Sequence, residues 1–372
     1  MKKYFVMAAL AVSTLTASAQ SVVPKWINNV KLSGFGIVQY TYNGQENNES
    51  NSFNLRLARL ALDGRAFDDW YWKAQIQFNG NTSTLGSSPK LVDLFIEWQK
   101  YDFLRVKAGQ FKNPFTYENP MHPIDQGFMS YSQVISKFAG FSDRAGAHSS
   151  NGRDIGVQLQ GDFLKNASGR NLIHYQVGVF NGQGINVKDV DQQKNIIGGA
   201  WVMPVEGMRL GAFGWIGSYA RKGTSASEGI TNTMLRRLQQ RRYAFSAEYK
   251  VDDWTFRSEY VHSTGYAFAK AMVNTNDASA KDITLSSNGD KSQGVYALVI
   301  APIIKKKCHA KARYDMYQPS KGAEKQRTQY EIGLDYYFNK NICLTGEYAY
   351  IHDRALADPN YSMIDVELSY RF

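Results

Sequence analysis

Beyond its N-terminal segment the chain has no apolar run long enough to cross a bilayer as a helix. Its mean hydropathy of -0.41 is that of a water-soluble protein. A helical membrane anchor in the body of the chain is thereby excluded. A membrane barrel is not, because only every second residue of a membrane strand faces lipid and hydropathy averaging hides the pattern. Cysteine is scarce as well: the 2 cysteines, Cys308 and Cys343, cannot staple an exported chain of 372 residues. They fall on different expected strands, with another strand between them and on opposite faces, so free thiols are expected.

Catalytic signatures are also missing. The 6 histidines, His122, His148, His174, His262, His309 and His352, are scattered, with no two at metal-ligand spacing on a helix. There is no G-x-S-x-G elbow and no P-loop, and Gly182-Gln183-Gly184 lacks both a third glycine and a helix after it. No Ser/His pair falls on adjacent strands as a phospholipase-type barrel would need. The expectation is therefore no enzyme, no metal and no cofactor.

What is present begins with a leader. Lys2 and Lys3 precede the apolar run Phe5 to Val12, and Ala17-Ser18-Ala19 offers small residues for a signal peptidase. Residues 1–19 read as a cleaved signal peptide, leaving 20–372 as the mature protein. Loss of the two lysines takes the net charge from +10 to +8, an excess that points to anionic partners or solutes. The basic cluster Arg236-Arg237 with Arg241-Arg242 faces lipopolysaccharide phosphates or a pore mouth in an exported chain, and no nucleic-acid partner is expected.

At the other end the chain closes on a strand that alternates without fault. Ile364, Val366, Leu368, Tyr370 and Phe372 fall on one face, and Asp365, Glu367, Ser369 and Arg371 on the other. Lipid against the first face and water against the second is the environment of a closed barrel. From Val30 onward, similar segments follow one another, about 16 in all, joined alternately by tight turns such as Asp68-Asp69 and Asn339-Lys340-Asn341 and by longer polar stretches such as Asn181 to Asn195, Ser218 to Gln239 and Ser263 to Lys291. The fold class is accordingly an all-β transmembrane antiparallel β-barrel with short periplasmic turns and long extracellular loops. In the second segment the apolar residues switch from odd (Phe53, Leu55, Leu57) to even (Leu60, Leu62), which predicts a bulge near Ala58. Aromatic residues gather at segment ends, as interfacial girdles would.

One connection breaks the size pattern. No convincing strand returns between Gln110 and Asp154, and 111–152 is too long for an idle loop. A mobile extracellular loop is the plain alternative. The functional reading is a third loop folded into the lumen, narrowing the pore and presenting Lys112, Lys137 and Arg144 to solute.

The run Arg105-Val106-Lys107-Ala108-Gly109-Gln110-Phe111-Lys112-Asn113-Pro114-Phe115-Thr116-Tyr117-Glu118, with Gly152-Arg153-Asp154-Ile155-Gly156-Val157-Gln158-Leu159 and Tyr175-Gln176-Val177-Gly178-Val179-Phe180-Asn181-Gly182, resembles the signature segments of the phosphate-selective porin O and P family. The resemblance runs along the mature chain. It implies a trimeric 16-stranded barrel in the outer membrane of a Gram-negative bacterium, with lysines and arginines passing small anions such as phosphate along the lumen wall. Carried over residue by residue, Lys107 and Lys112 are the constriction cations, and Arg56 and Arg59 correspond to the family's paired arginines, here separated by Leu57-Ala58. A pore selects anions by lining its narrow part with Arg and Lys, which replace part of the lost hydration. Lys73, Arg105, Arg257, Lys311 and Arg313 extend such a track, while Glu97, Asp154, Glu259, Asp315, Glu331, Asp335, Glu347, Asp365 and Glu367 dilute it. The expected function is a passive channel for small hydrophilic solutes with anion preference. The alternative from another class is a non-conducting barrel acting as an adhesin or assembly partner.

Overall fold

A computed structural model describes residues 24, 26–78, 89–146, 150–269, 279–280 and 283–372. The leader over 1–19, most of the Gly/Ser-rich connection before Leu91 and His148 lie outside the described residues. The first strands are β1 (Ile27–Asn43), β2 (Ser50–Ala66), β3 (Trp70–Phe78), β4 (Lys90–Tyr101), β5 (Leu104–Lys112) and β6 (Arg153–Lys165). Next come β7 (Asn171–Phe180), β8 (Asn195–Val202), β9 (Met208–Ser225), β10 (Ile230–Val251) and β11 (Trp254–Thr264). The two-residue β12 (Ser279–Ala280) runs parallel to β9 and is not part of the wall. The remainder are β13 (Lys291–Ile304), β14 (Cys308–Gln318), β15 (Arg327–Asn339), β16 (Ile342–Asp353) and β17 (Asn360–Arg371).

Sixteen antiparallel strands form the wall, each paired with its neighbours in sequence. The sheet closes where β1 meets β17, from Phe35 opposite Arg371 to Asn43 opposite Met363. Closure gives the terminal strand two partners, so no edge is left with unpaired amides. The alternation then sorts the side chains. On β17 the outward residues Ile364, Val366, Leu368, Tyr370 and Phe372 are each at least 40 % exposed, whereas Asp365, Glu367 and Ser369 are buried inside. On β15 the outward series Tyr330, Ile332, Leu334, Tyr336, Phe338 runs aromatic, aliphatic, aromatic along the strand. That sequence places the rings at two interfaces and the aliphatic residues in hydrocarbon. Among the described residues no helix is long and apolar enough to cross a membrane.

One end of the barrel carries tight turns. At Asp252-Asp253 both residues have positive φ, 48° and 73°, the conformation of a two-residue type I′ hairpin whose twist matches the strands it joins. The other end carries the longer connections. The expected polar loop Ser218 to Gln239 is instead mostly strand: β9 continues to Ser225 and β10 resumes at Ile230. Polar residues there give no hydropathy signal, yet the ladder needs only backbone pairing once it projects beyond the membrane. Cys308 and Cys343 are free thiols.

The bulge in β2 falls at Arg56, two residues before the expected position. Ile37 faces Leu57 while Val38 faces Leu55, so Arg56 is the extra residue. In a regular strand, residues 56 and 59 would point to opposite faces; the inserted residue resets the alternation and turns both arginines toward the lumen.

Candidate functional site

Residues 113–146 and 150–152, between β5 and β6, fold into the barrel and lie across its lumen. The entry requires Gly109, whose φ of +133° lies outside what L residues adopt; a Cβ there would sit 2.2 Å from the carbonyl oxygen of Leu94. Inside, Ser132 caps the short helix Gln133–Phe138 by accepting from the Ile135 amide at 3.2 Å. Phe115, Tyr117, Val134, Ile135 and Phe138 from the loop pack against Phe213, Trp215, Val261, Tyr296 and Tyr317 from the wall. One side of the lumen is therefore dry and filled.

The wall charges explain how the loop stays there. Glu259, fully buried, accepts from the Tyr117 and Glu118 amides at 2.8 and 3.0 Å and from the Tyr296 hydroxyl at 2.8 Å. Glu347 accepts from the Met129 amide at 3.0 Å, and Asp315 from the Gln133 amide at 2.8 Å. Cations of the same wall bind loop carbonyls: Arg257 that of Gln126 at 2.8 Å, Lys311 that of Gly127 at 2.8 Å, Arg313 that of Ser130 at 3.0 Å. Arg242 grips Asp143 with two bonds of 2.7 Å. Each such hydrogen bond contributes about 0.5–1.5 kcal/mol, and up to about 3 kcal/mol where one partner is charged, so a loop held by many of them is fixed. The mixed charge of this wall is consumed in clamping the loop.

The side facing β2 to β6 is different. A cavity of about 250 Å³ lies between those strands and residues Pro120 to Pro123 of the loop. Its cationic lining comprises Arg59, Lys73, Lys107, Lys112 and Arg153, against one carboxylate, Asp93. Asp93 is already engaged: Arg153 holds it in bidentate fashion at 2.6 and 3.1 Å. Lys107 is 3.5 Å from Glu97 and lies over the rings of Phe95 and Phe111. Lys112 donates to the Met121 carbonyl at 2.6 Å, with no carboxylate within ion-pair distance among the described residues. Arg59 is 2 % exposed; its Nε donates to Gln77 at 2.9 Å, and one Nη has no partner. Lys73 has no ion-pair partner among the described residues. His122, from the loop, stacks edge-on to Phe35 and accepts from the Ile124 amide through Nδ1. Burial pushes it down to about 4, so it is neutral near pH 7.

Other residues singled out in the sequence lie elsewhere. Arg56 is bound to Glu367 at 2.7 Å and to the Met129 carbonyl, and so serves the loop. Arg105 pairs with Asp162, outside the cavity lining. Lys137 lies over the Tyr317 ring, where burial lowers its ammonium pKa. Arg144, 8 % exposed, donates to the Gly265 carbonyl at 2.6 Å and ties the loop to the rim. Arg153 and Asp93 were not singled out. Their signal was there: Arg153 stands at the strand entry within Gly152-Arg153-Asp154, and Asp93 is a lone acid interrupting Leu91-Val92-Leu94. A second space of about 400 Å³, lined by Asp125, Asp253, Asp335 and Glu367 with Lys250 and Lys311, is mixed in charge.

Comparison with known proteins agrees with this architecture. No curated protein sequence matches the chain. Among solved structures, a loop L8 deletion mutant of OmpT, an outer membrane protein of Vibrio cholerae, aligns with a TM-score of 0.63 at 12% identity, covering 92% of this chain and 99% of that one. An anion-selective porin from Comamonas acidovorans gives 0.61 at 13% identity, with the same coverage. Salmonella typhi OmpF, solved with daunomycin, gives 0.62 at 12% identity over 94% of this chain and 99% of that one. At such identities the likeness shows the outer-membrane porin fold. In sequence, the family model for phosphate-selective porin O and P matches residues 33–191, the stretch that carries β2 to β6 and the inserted loop. That match, together with the porin barrel closed around it, supports the phosphate-selective porin O and P family.

Proposed function

We propose that this outer-membrane porin is a passive channel for small hydrophilic solutes that prefers anions, phosphate among them. One observation carries the reading: where the inserted loop faces β2 to β6, five basic side chains line the cavity, and the one carboxylate among the described lining residues is already gripped by one of them. Arg59 keeps one buried guanidinium nitrogen without a hydrogen-bond partner beside it, and the lysines add point charges on flexible stems. Such a lining attracts an oxyanion, replaces part of its hydration and holds it weakly enough to release it. The channel needs no cofactor and is driven by concentration gradients. A homotrimer in contact with outer-membrane lipid and lipopolysaccharide fits the family, and one OmpT structure is described as a trimer form.

Reversal potentials in chloride, phosphate and sulfate gradients across planar bilayers test the proposal. Anion-positive selectivity that falls in Lys107→Glu supports it, and cation selectivity in the wild type sinks it. The aromatic packing that fills one side of the lumen favours, as a second reading, a non-conducting barrel acting as an adhesin or assembly partner. Absence of any ion current from purified, folded protein would remove the channel reading.

A further inference from the structure

The lipid-facing wall of β10 to β16 has an uncommon combination of features. Register places Arg241 of β10 opposite Thr264 of β11, and Thr264 opposite Lys291 of β13. All three lie in one row across the ladder, and the row below, Tyr243, His262 and Gln293, points the same way two residues closer to the membrane centre. Arg241 and Lys291 are exposed and form no ion pair among the described residues. Their Cα atoms are two strand spacings apart, roughly 10 Å. Asp290, next to Lys291 and just before β13, is exposed and acts electrostatically on Arg144 of the loop. Arg237, four residues further out on β10, is already paired with Asp191 at 2.9 Å.

Below this row the outer wall is hollowed. Ala297 and Ala312 are small where their neighbours Tyr314, Tyr330, Tyr348 and Tyr350 are large, leaving a depression of about 570 Å³ on the hydrocarbon side. Ala297 stands six residues from Lys291 on the same strand, roughly 20 Å along it, the depth of an acyl chain whose headgroup sits at the interface. Cations at headgroup level above an apolar hollow complement one kind of amphiphile.

We propose that this face binds a phosphorylated, multiply acylated glycolipid of the outer leaflet, with phosphate between Arg241 and Lys291 and an acyl chain in the hollow at Ala297 and Ala312. The bound lipid covers wall that small side chains leave unfilled, and it sits outside the barrel, away from the conducting lumen.

The test uses the full-length protein exchanged into phosphatidylethanolamine nanodiscs containing a lipid A-type glycolipid with both phosphates, or the same glycolipid with the phosphates removed. Native mass spectrometry reads the glycolipid retained per barrel. Retention of the phosphorylated form and not of the other is expected. Arg241→Gln with Lys291→Gln lowers its affinity roughly thirtyfold, about fivefold for each cation near an anionic surface. Ala297→Leu with Ala312→Leu fills the hollow and lowers retention with both cations in place. Single-channel current unchanged in every variant shows that the barrel is folded. Equal retention of both glycolipids, or full retention by the Arg241/Lys291 variant, overturns the proposal. So does unchanged retention together with conversion of oligomer to monomer, which would assign this face to contact between copies of the chain.

Discussion

Removing the charge of Arg59 is the most direct perturbation of the cationic cavity. The bulge at Arg56 turns this side chain inward, burial leaves it 2 % exposed, and its Nε donates to Gln77. A unit charge about 4 Å from an anion is worth about 1 kcal/mol in water and about 4 kcal/mol at an effective dielectric of 20. A hydrogen bond to a charged group contributes about 1.5–3 kcal/mol. Arg59→Gln should therefore weaken anion binding by about 2–3 kcal/mol, which is about 30–150-fold in affinity. The assay is the phosphate concentration that half-blocks chloride current in planar bilayers, with the reversal potential measured on the same channels. Lys73, Lys107, Lys112 and Arg153 remain in the variant, so anion selectivity should shrink without inverting. Arg59→Lys keeps the charge and loses the fork, and should retain most of the selectivity with a smaller loss of phosphate affinity. If Arg59→Gln conducts normally and neither quantity moves, solute does not pass this side chain and the reasoning is refuted.

Three further outcomes follow from how the loop is held. Glu259→Gln leaves the donors of Tyr117, Glu118, Ser246 and Tyr296 with a single oxygen to share; losing about 2–4 kcal/mol of clamping, the loop should swing from the wall, seen as larger and noisier single-channel current. Gly109→Ala forces a Cβ against the Leu94 carbonyl at positive φ, a strain on the order of 1–3 kcal/mol. It should reduce the yield of heat-modifiable, folded barrel on gels; a wild-type yield would contradict the assigned conformation. His122 has a folded-state pKa of about 4, depressed from 6.5 by burial. The unfolded chain thus takes up a proton that the folded one refuses, and stability is lost as pH falls through that window, by on the order of 3 kcal/mol in full. His122→Gln should flatten the fall of the thermal midpoint between pH 6.5 and 4; an unaltered slope would place the titration elsewhere.

Much of this protein is written locally in its sequence. Alternation along Ile364 to Phe372 is a property of consecutive residues, and so are the tight Asp252-Asp253 turn and the aromatic ends of β15. Lipid on one face and water on the other turn that periodicity into a barrel with little need for long-range information. The excessive length of 111–152 likewise marked the inserted loop. Three features were decided only by tertiary structure. Glu259, Asp315 and Glu347 read as lumen acids that dilute an anion path, yet residues more than a hundred positions away present their amides to them and consume that charge. Arg56 and Arg59 look alike in sequence; the register with β1 makes one a loop clamp and leaves the other facing the cavity. Arg153 and Asp93, 60 positions apart, become partners because the loop brings β6 back beside β5. Which way a strand residue points is settled by its neighbours in the chain. Whether the charge it carries is free for a solute depends on what the fold sets opposite it, and no local pattern contains that.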